Sequence, residues 1–425
     1  MDVVMQRNGS NPDVGALPVF SNGASPGSLE KRPYFWGKKY FSDLEIEELC
    51  NYRNHGTDNS LTYKYILSPT YDMLLPLVPT WMAPNTITLI GLVSVLIGNL
   101  LTAVYVPTLQ EEAPRWVYLL LWIGLASYRV LDNLDGRQAR RTGSSSPLGH
   151  LFDHGCDTLN VFLSGLNCTA ALKLGSKSFY SLGLVWLVAM GQFFGATLEE
   201  FFNGALNLGY INGPSEGILL IEAMYLASFL FGPSIWEAPL SIGTWQIRRG
   251  ELFFWVLLPI STLTVLANYV SIWKKAIADN KRRDILDSLR ASIPFLLFSF
   301  CLVTWQQTST AYEKHPHLFL WCTGINFFYL ISRLIVAHLT NTKFPTVMGV
   351  QLVMAIGAAN AVAGIFVGSK DGLLDQYVLL WLLLGVEVLV NCRRVMGMTR
   401  EICSHLGIEC FRIKSREAPV STKVI

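Results

Sequence analysis

The sequence is short of charge. Of its 425 residues, 15% are Asp, Glu, Lys or Arg while 51% are hydrophobic, against roughly 25% charged in an ordinary soluble domain. A net charge of +2 leaves no basic footprint for a nucleic acid, and no such partner is expected. The eight cysteines, Cys50, Cys156, Cys168, Cys301, Cys322, Cys392, Cys403 and Cys410, form no CxxC pair and no metal-ligand spacing. Neither a disulfide framework nor a zinc site is expected. The first fifty residues, "MDVVMQRNGS" to "IEELC", lack the apolar core of a cleaved signal peptide, so the amino terminus is expected to stay in the cytosol. Two N-x-[ST] matches, at Asn8 in that tail and at Asn167 in an apolar run, read as chance.

Long apolar runs, by contrast, are plentiful. A membrane-spanning helix needs ~20 mostly apolar residues, and backbone groups in lipid permit only helices or closed barrels. Ten such runs occur, near 86–106, 115–134, 149–172, 179–202, 216–233, 251–273, 291–306, 317–338, 345–367 and 375–392. The expected fold is an all-α, polytopic membrane bundle of about ten helices. Before the first span, "YKYILSPTYDMLLPLVPTW" is apolar, aromatic and interrupted by Pro69, Pro76 and Pro79, which predicts an interfacial segment over 63–82. Basic residues concentrate in "RQARR", "KKAIADNKRRDILDSLR" and "CRRVMGMTR". Retention of Lys and Arg on the cytosolic side puts these three and both termini there, with "QIRRG" at 246–250 a mild exception. The division expected is a cytosolic segment 1–62, the interfacial segment, a six-helix catalytic bundle over 83–275, a four-helix region over 276–392 and a cytosolic tail over 393–425.

One stretch breaks the apolar pattern. "DNLDGRQARRTGSSSPLGHLFDHGCDTLN" carries four aspartates, Asp132, Asp135, Asp153 and Asp157, between two spans. Helical spacing puts Asp132 and Asp135 on one arc with Gly136 and Ala139, and Gly149, Asp153 and Asp157 on one stripe of the next helix. Four converging carboxylates repel one another unless a cation neutralises them. Oxygen donors without a His or Cys set favour Mg²⁺ or Mn²⁺, and four of them fit two ions that clamp a phosphoryl group. Gly136, Ala139 and Gly149 leave room for a bulky ligand, while Arg140, Arg137 and Arg141 are candidates for phosphate oxygens. The simpler reading pairs the aspartates with these arginines at a membrane edge. Carboxylates at i, i+4 with small residues at matched offsets favour the cation instead.

Asp132-x-x-Asp135-Gly136-x-x-Ala139-Arg140, then eight residues, then Gly149-x-x-x-Asp153-x-x-x-Asp157 resembles the signature of the CDP-alcohol phosphotransferase family at every fixed position. "MAPNTIT", "SSSPLG", "LFDHGCD", "INGPSEG" and "LIVAHLT" are similar to its eukaryotic choline/ethanolamine branch. The resemblance implies transfer of phosphocholine or phosphoethanolamine from CDP-choline or CDP-ethanolamine to diacylglycerol, with release of CMP. It further implies two Mg²⁺ ions on the four aspartates, with Mn²⁺ as substitute, and a nucleotide cradle of Asn85, Gly136, Ala139 and Arg140. By the same likeness His154 is the general base, Glu216 orients it, and the enzyme is a homodimer of the endoplasmic reticulum or Golgi membrane. Two departures stand out: His150 replaces the usual Glu, and "TLEEFF" around Glu199 and Glu200 replaces a Trp-led segment. Trp81, Tyr128, Phe193 and Phe194 are candidate rings for a quaternary ammonium. The alternatives are a relative using CDP-diacylglycerol with an inositol or glycerophosphate acceptor, and an ion-coupled transporter.

Overall fold

The computed structural model describes residues 39–53, 56–175, 178–349 and 351–413; most of the amino-terminal tail, Asn8 included, and the last residues lie outside these. Each of the ten apolar runs contains a helix, although in the ninth, expected over 345–367, the helix spans only Gln351–Phe366. We number the helices α1 (Asp43–Asn51), α2 (Ser68–Leu74), α3 (Pro84–Tyr105), α4 (Arg115–Thr142), α5 (Pro147–Ala171), α6 (Ser178–Asn203), α7 (Gly213–Phe231), α8 (Arg249–Ala278), α9 (Arg283–Thr308), α10 (Pro316–Leu339), α11 (Gln351–Phe366) and α12 (Gln376–Leu406). Six of them, α3, α6, α7, α8, α9 and α10, are long and apolar enough to cross a bilayer by length and composition alone. The charges that make α4 and α12 interesting also lower their apolarity, and α11 is short. Two small two-stranded pairings, Gly56–Asp58 with Leu206–Leu208 and Pro239–Ile242 with Trp245–Arg248, complete the fold. The chain is a polytopic membrane protein.

Alternating helices bring the basic segments to one end. There Asn85 at the start of α3 donates to the Cys410 carbonyl beyond α12 at 3.0 Å, and Lys275 of α8 donates to the Asn203 carbonyl at the end of α6. At the opposite end, Lys173 meets Glu112 at 3.2 Å, Lys314 meets Asp371 at 2.8 Å, and a ring nitrogen of His317 lies 2.9 Å from the Val106 carbonyl. Arg248 of the exceptional "QIRRG" loop lies 2.8 Å from Glu251, so part of its charge is locally balanced.

The 63–82 segment is not one helix. A π turn over Tyr63–Leu67 leads into α2 and then a 3₁₀ turn over Leu75–Leu77, as the prolines require. Its inner side is fastened to α4. Arg137 donates to Ser68 Oγ at 2.9 Å and lies 3.1 Å from Asp72. Arg141 donates to the Leu75 and Val78 carbonyls at 3.0 Å, and Gln138 donates to those of Pro79 and Met82. Its outer side exposes Tyr65, Ile66, Met73, Leu77 and Trp81, the amphipathic division expected of a segment lying on a bilayer.

α3 and α4 approach so closely that backbone meets backbone. A Cβ on Gly124 would stand 2.8 Å from the Ser94 carbonyl oxygen, and Ser94 Oγ donates to the Gly124 carbonyl at 2.9 Å. On the far side, a Cβ on Gly324 of α10 would meet the Phe162 ring of α5 at 2.4 Å. The small-residue run 355–364 is used within the chain: Gly357 lies under the Trp305 ring and Gly364 against Gly372. Asn167 is buried, accepting from Asn99 and Thr102, which agrees with its N-x-[ST] match being chance. Overpacking a close contact of this kind costs about 1–3 kcal/mol. Gly124→Leu is therefore expected to lower the melting temperature of the detergent-solubilised protein, whereas Gly385→Ala, with no atom within 4 Å of the new carbon, leaves it unchanged or slightly raised. An unaltered midpoint for Gly124→Leu would show that α3 and α4 can part freely.

Candidate active site

The α4–α5 hairpin sets the heights of the acids. α4 ends at Gly143 in the left-handed conformation, and Ser146 caps α5 by accepting from Gly149 N–H. The four-residue connection forces the helices antiparallel, with Asp135 seven and Asp132 ten residues before the end of α4, and Asp153 six and Asp157 ten residues into α5. At about 1.5 Å per residue, the two pairs lie level. One carboxylate oxygen from each of Asp132, Asp135 and Asp153 lies within 4.8 Å of the others, and Asp153, His154 and Asp157 form a second such group.

The arginines do not neutralise this cluster. Arg137 and Arg141 hold the 63–82 segment, and Arg129 makes a two-point pair with Glu222 at 2.7 and 3.0 Å while donating to Tyr71. Among the described residues no Lys or Arg is in ion-pair range of the four aspartates, so the simpler reading of Asp–Arg pairing fails. Neutral donors orient two of the acids: Thr88 of α3 donates to Asp135, and Tyr128 of α4 donates to Asp157 at 2.7 Å. Asp132 Oδ1 and Asp153 Oδ1 are buried without a hydrogen-bond partner. Buried anionic oxygens with no donor are costly, and a divalent cation with oxygen preference fits them. The donor set suits Mg²⁺ or Mn²⁺.

The remaining predicted residues divide. Asn85 and Gly149 are neighbours, since a Cβ on Gly149 would lie 3.9 Å from Asn85 Oδ1. Gly136 and Arg140 are likewise adjacent, at 3.6 Å from the corresponding Cβ to the guanidinium, with half-buried Ala139 and exposed Arg140 one turn along α4. His154 is buried beside the aspartates. Glu216 is not brought to it: its carboxylate accepts from Ser60 Oγ and from the Asn212 N–H at 2.9 Å, closing the turn that opens α7. The acid beside His154 is Glu200 of α6. Its oxygens lie 3.5 Å from His154 Nδ1 and 3.4 Å from His150 Nε2. The two imidazoles are 4.0 Å apart between centroids, with His338 of α10 and Tyr52 beyond them. The rings proposed for a quaternary ammonium form no cage. Trp81 is exposed, Tyr128 serves Asp157, and Phe194 stacks on Phe295 at 4.6 Å.

Thr88, Tyr128, His338 and Tyr52 were not singled out as contributors to this site from sequence, apart from Tyr128 in another role. Only Glu200 left a signal, as an acid at the end of a long apolar helix.

A membrane bundle that presents converging carboxylates, small residues and an arginine at one end has the parts of a metal-dependent transferase acting on phosphorylated substrates. Comparison with known proteins makes the class definite. A model of the CDP-alcohol phosphatidyltransferase family matches residues 81–203, the stretch running from α3 to the end of α6. The chain is 33% identical over 377 residues to uncharacterized CDP-alcohol phosphatidyltransferase class-I family protein 2 of Dictyostelium discoideum, covering 88% of each. It is 32% identical to choline/ethanolaminephosphotransferase 2 of Arabidopsis thaliana over 89% of this chain and 100% of that protein. To cholinephosphotransferase 1 of Bos taurus it is 28% identical over 83% and 85%. The chain belongs to the CDP-alcohol phosphatidyltransferase family and is a membrane transferase.

Loss of a residue that merely orients a ligand typically weakens metal binding by about 10–100-fold. Mn²⁺ titration followed by electron paramagnetic resonance is expected to show that order of weakening for Tyr128→Phe and a larger one for Asp153→Ala. Native Mn²⁺ affinity in folded Asp153→Ala would remove that aspartate from the ligand set.

Proposed function

We propose that the chain transfers phosphocholine or phosphoethanolamine from CDP-choline or CDP-ethanolamine to the free hydroxyl of diacylglycerol, forming phosphatidylcholine or phosphatidylethanolamine and CMP, the last step of the Kennedy pathway. The observation that carries this reading is the convergence of four carboxylates without a protein counter-charge on the hairpin that holds the family signature. Full-length similarity to a choline/ethanolaminephosphotransferase supports the donor and acceptor, and ranks them above CDP-diacylglycerol chemistry or ion transport.

Two Mg²⁺ ions, with Mn²⁺ able to replace them, would sit on Asp132, Asp135, Asp153 and Asp157 and offset the negative charge of the pyrophosphate. The protein's own groups do the rest. Arg140 is free of the interfacial segment that engages Arg137 and Arg141, and reaches the outer phosphate. Asn85 and Gly149 border the nucleotide, and Gly136 and Ala139 let it approach the α4 backbone. The diacylglycerol oxygen forms the new bond to the β-phosphorus, the bond from that phosphorus to the oxygen of CMP breaks, and His154 takes the hydroxyl proton. The membrane setting suits this exchange, because the nucleotide is water-soluble and the acceptor is an uncharged lipid. The gathered basic ends of α4, α8 and α12 support a site facing the cytosol, with both termini on that side. An endoplasmic reticulum or Golgi membrane and a homodimer are carried over from the family likeness.

Purified protein in micelles with diacylglycerol, Mg²⁺ and either CDP-alcohol is expected to release CMP, and the ratio of the two rates gives the headgroup preference. General-base assistance typically contributes about 10²–10⁴-fold. His154→Ala should lower kcat by that order while CDP-alcohol affinity stays near native. No CMP from either donor by folded protein would reject the reaction, and an unchanged kcat would reject His154 as base.

A further inference from the structure

A general base in a site crowded with carboxylates needs its ring held and its tautomer chosen. We propose that Glu200 is the residue that positions His154, an inference that rests on the transfer reaction proposed above. Glu200 lies near the carboxyl-terminal end of α6, 2% exposed. A carboxylate so buried is strongly unfavourable unless it has partners. The partners in place are two imidazoles one helical turn apart on α5: His154 Nδ1 at 3.5 Å from one oxygen and His150 Nε2 at 3.4 Å from the other.

The stereochemistry follows from what these groups can exchange. A neutral imidazole donates from one nitrogen and accepts at the other, and the partner of the first decides the tautomer. With Nδ1–H directed at Glu200, the lone pair of His154 is on Nε2 and available to a hydroxyl. Glu200 also opposes the pull of the metal-side acids, because a His154 nitrogen lies within 4.8 Å of oxygens of both Asp153 and Asp157. Without an acceptor on the α6 side, the ring can turn its N–H toward those carboxylates, which leaves the lone pair facing away from the substrate.

His150 explains how Glu200 is itself held. Both its ring nitrogens and Glu200 Oε1 are buried and make no completed hydrogen bond. Contacts of 3.4–3.5 Å are longer than a formed bond, and catalytic hydrogen bonds are often long before substrate arrives. The next groups outward are His338 and Tyr52, whose Nε2 and hydroxyl are 3.5 Å apart. Tyr52 also lies 5.4 Å from the His150 ring between centroids. The acid is thus enclosed by rings from α5 and α10 and by Tyr52, the residue that follows α1, with no Lys or Arg in ion-pair range among the described residues. That arrangement suits a residue that orients a neighbour rather than one that binds a phosphate.

The test uses the full-length protein in diacylglycerol micelles. Glu200→Ala is expected to reduce kcat by about 10–100-fold, a part of the whole general-base contribution. KM for the CDP-alcohol stays within about twofold, and Mn²⁺ affinity is unchanged. The double variant H154A/E200A runs no slower than H154A alone, since a positioning group has nothing left to position. A structural role would not predict the rescue: His150→Glu on the Glu200→Ala background returns a carboxylate one turn from His154 and raises kcat at least about fivefold. Glu200→Gln, which keeps the shape, serves where Glu200→Ala does not fold, with the same direction expected. Native kcat in folded Glu200 variants, additive losses with H154A, or no gain from His150→Glu would each overturn the proposal. A stoichiometric zinc ion in the purified protein that is lost with Glu200→Ala would overturn it too, by making the cluster a metal site. Wild-type protein that releases no CMP would instead reject the transfer reaction itself.

Discussion

The repulsion among Asp132, Asp135, Asp153 and Asp157 is the constraint on which the rest of the structure turns. Burying four carboxylates within a few ångströms is among the least favourable arrangements a chain can make in a low-dielectric setting. A protein selected only for stability would have turned the adjacent arginines onto them. Here Arg137 and Arg141 point the other way, toward the 63–82 segment, and Arg129 is saturated by Glu222 and Tyr71. Among the described residues the side chains that donate hydrogen bonds to the aspartates are neutral, Thr88 and Tyr128, and they aim the acids without cancelling their charge. The fold therefore withholds its own cations from the place where it gathers anions, which is the behaviour of a site completed by an external one.

That withholding is achieved by rigid backbone rather than by loops. The four-residue turn between α4 and α5 leaves almost no freedom in the relative height of the two aspartate pairs. The Gly124–Ser94 contact brings α3 close enough for Thr88 to reach Asp135 across the helix interface. On the other side, Gly324 against Phe162 brings α10 against α5, and the same helix carries His338 toward His150. The carboxyl-terminal residues after α12 reach the start of α3, where Cys410 meets Asn85 and the Phe411 ring packs on Phe152 at 5.5 Å. The site thus draws on elements from both ends of the chain.

How far this was legible in the sequence depends on whether an interaction is local. The ten helices follow from apolar length, and the opposed aspartate pairs follow from helical spacing on two segments joined by a short polar turn. Both features are encoded within some thirty residues, so periodicity is enough. The prolines and aromatics of the 63–82 segment led to the expectation of an interfacial segment, while its division into π, α and 3₁₀ turns depends on Gln138 and Arg141, which take its carbonyls, and on Arg137, which holds Ser68 and Asp72. What could not be read were partnerships across large separations: Thr88 with Asp135, Glu200 with His150 and His154, Tyr52 with His338. Glu216 illustrates the difficulty from the other side. Its type and position match an orienting acid, yet Ser60, far away in sequence, and the turn before α7 take its oxygens.

The histidine at position 150 and the acid at position 200 deserve to be weighed together because neither makes physical sense alone. An imidazole buried with both nitrogens unmatched forfeits the hydrogen bonds it had in water, and an acid at the end of an apolar helix forfeits still more. Facing each other they recover part of that loss, and only one carboxylate is then needed to serve two rings. An acid on α6 rather than on α5 stands off the helix that bears Asp153 and Asp157, so it adds no further negative charge to their face. The arrangement separates two electrostatic tasks that would otherwise compete: one helix pair gathers unneutralised oxygens that could hold a cation, and a third helix approaches the intervening histidine from behind with a carboxylate of its own. An imidazole held between these fields has one nitrogen defined by each side, which is what the proposed role of His154 as base requires.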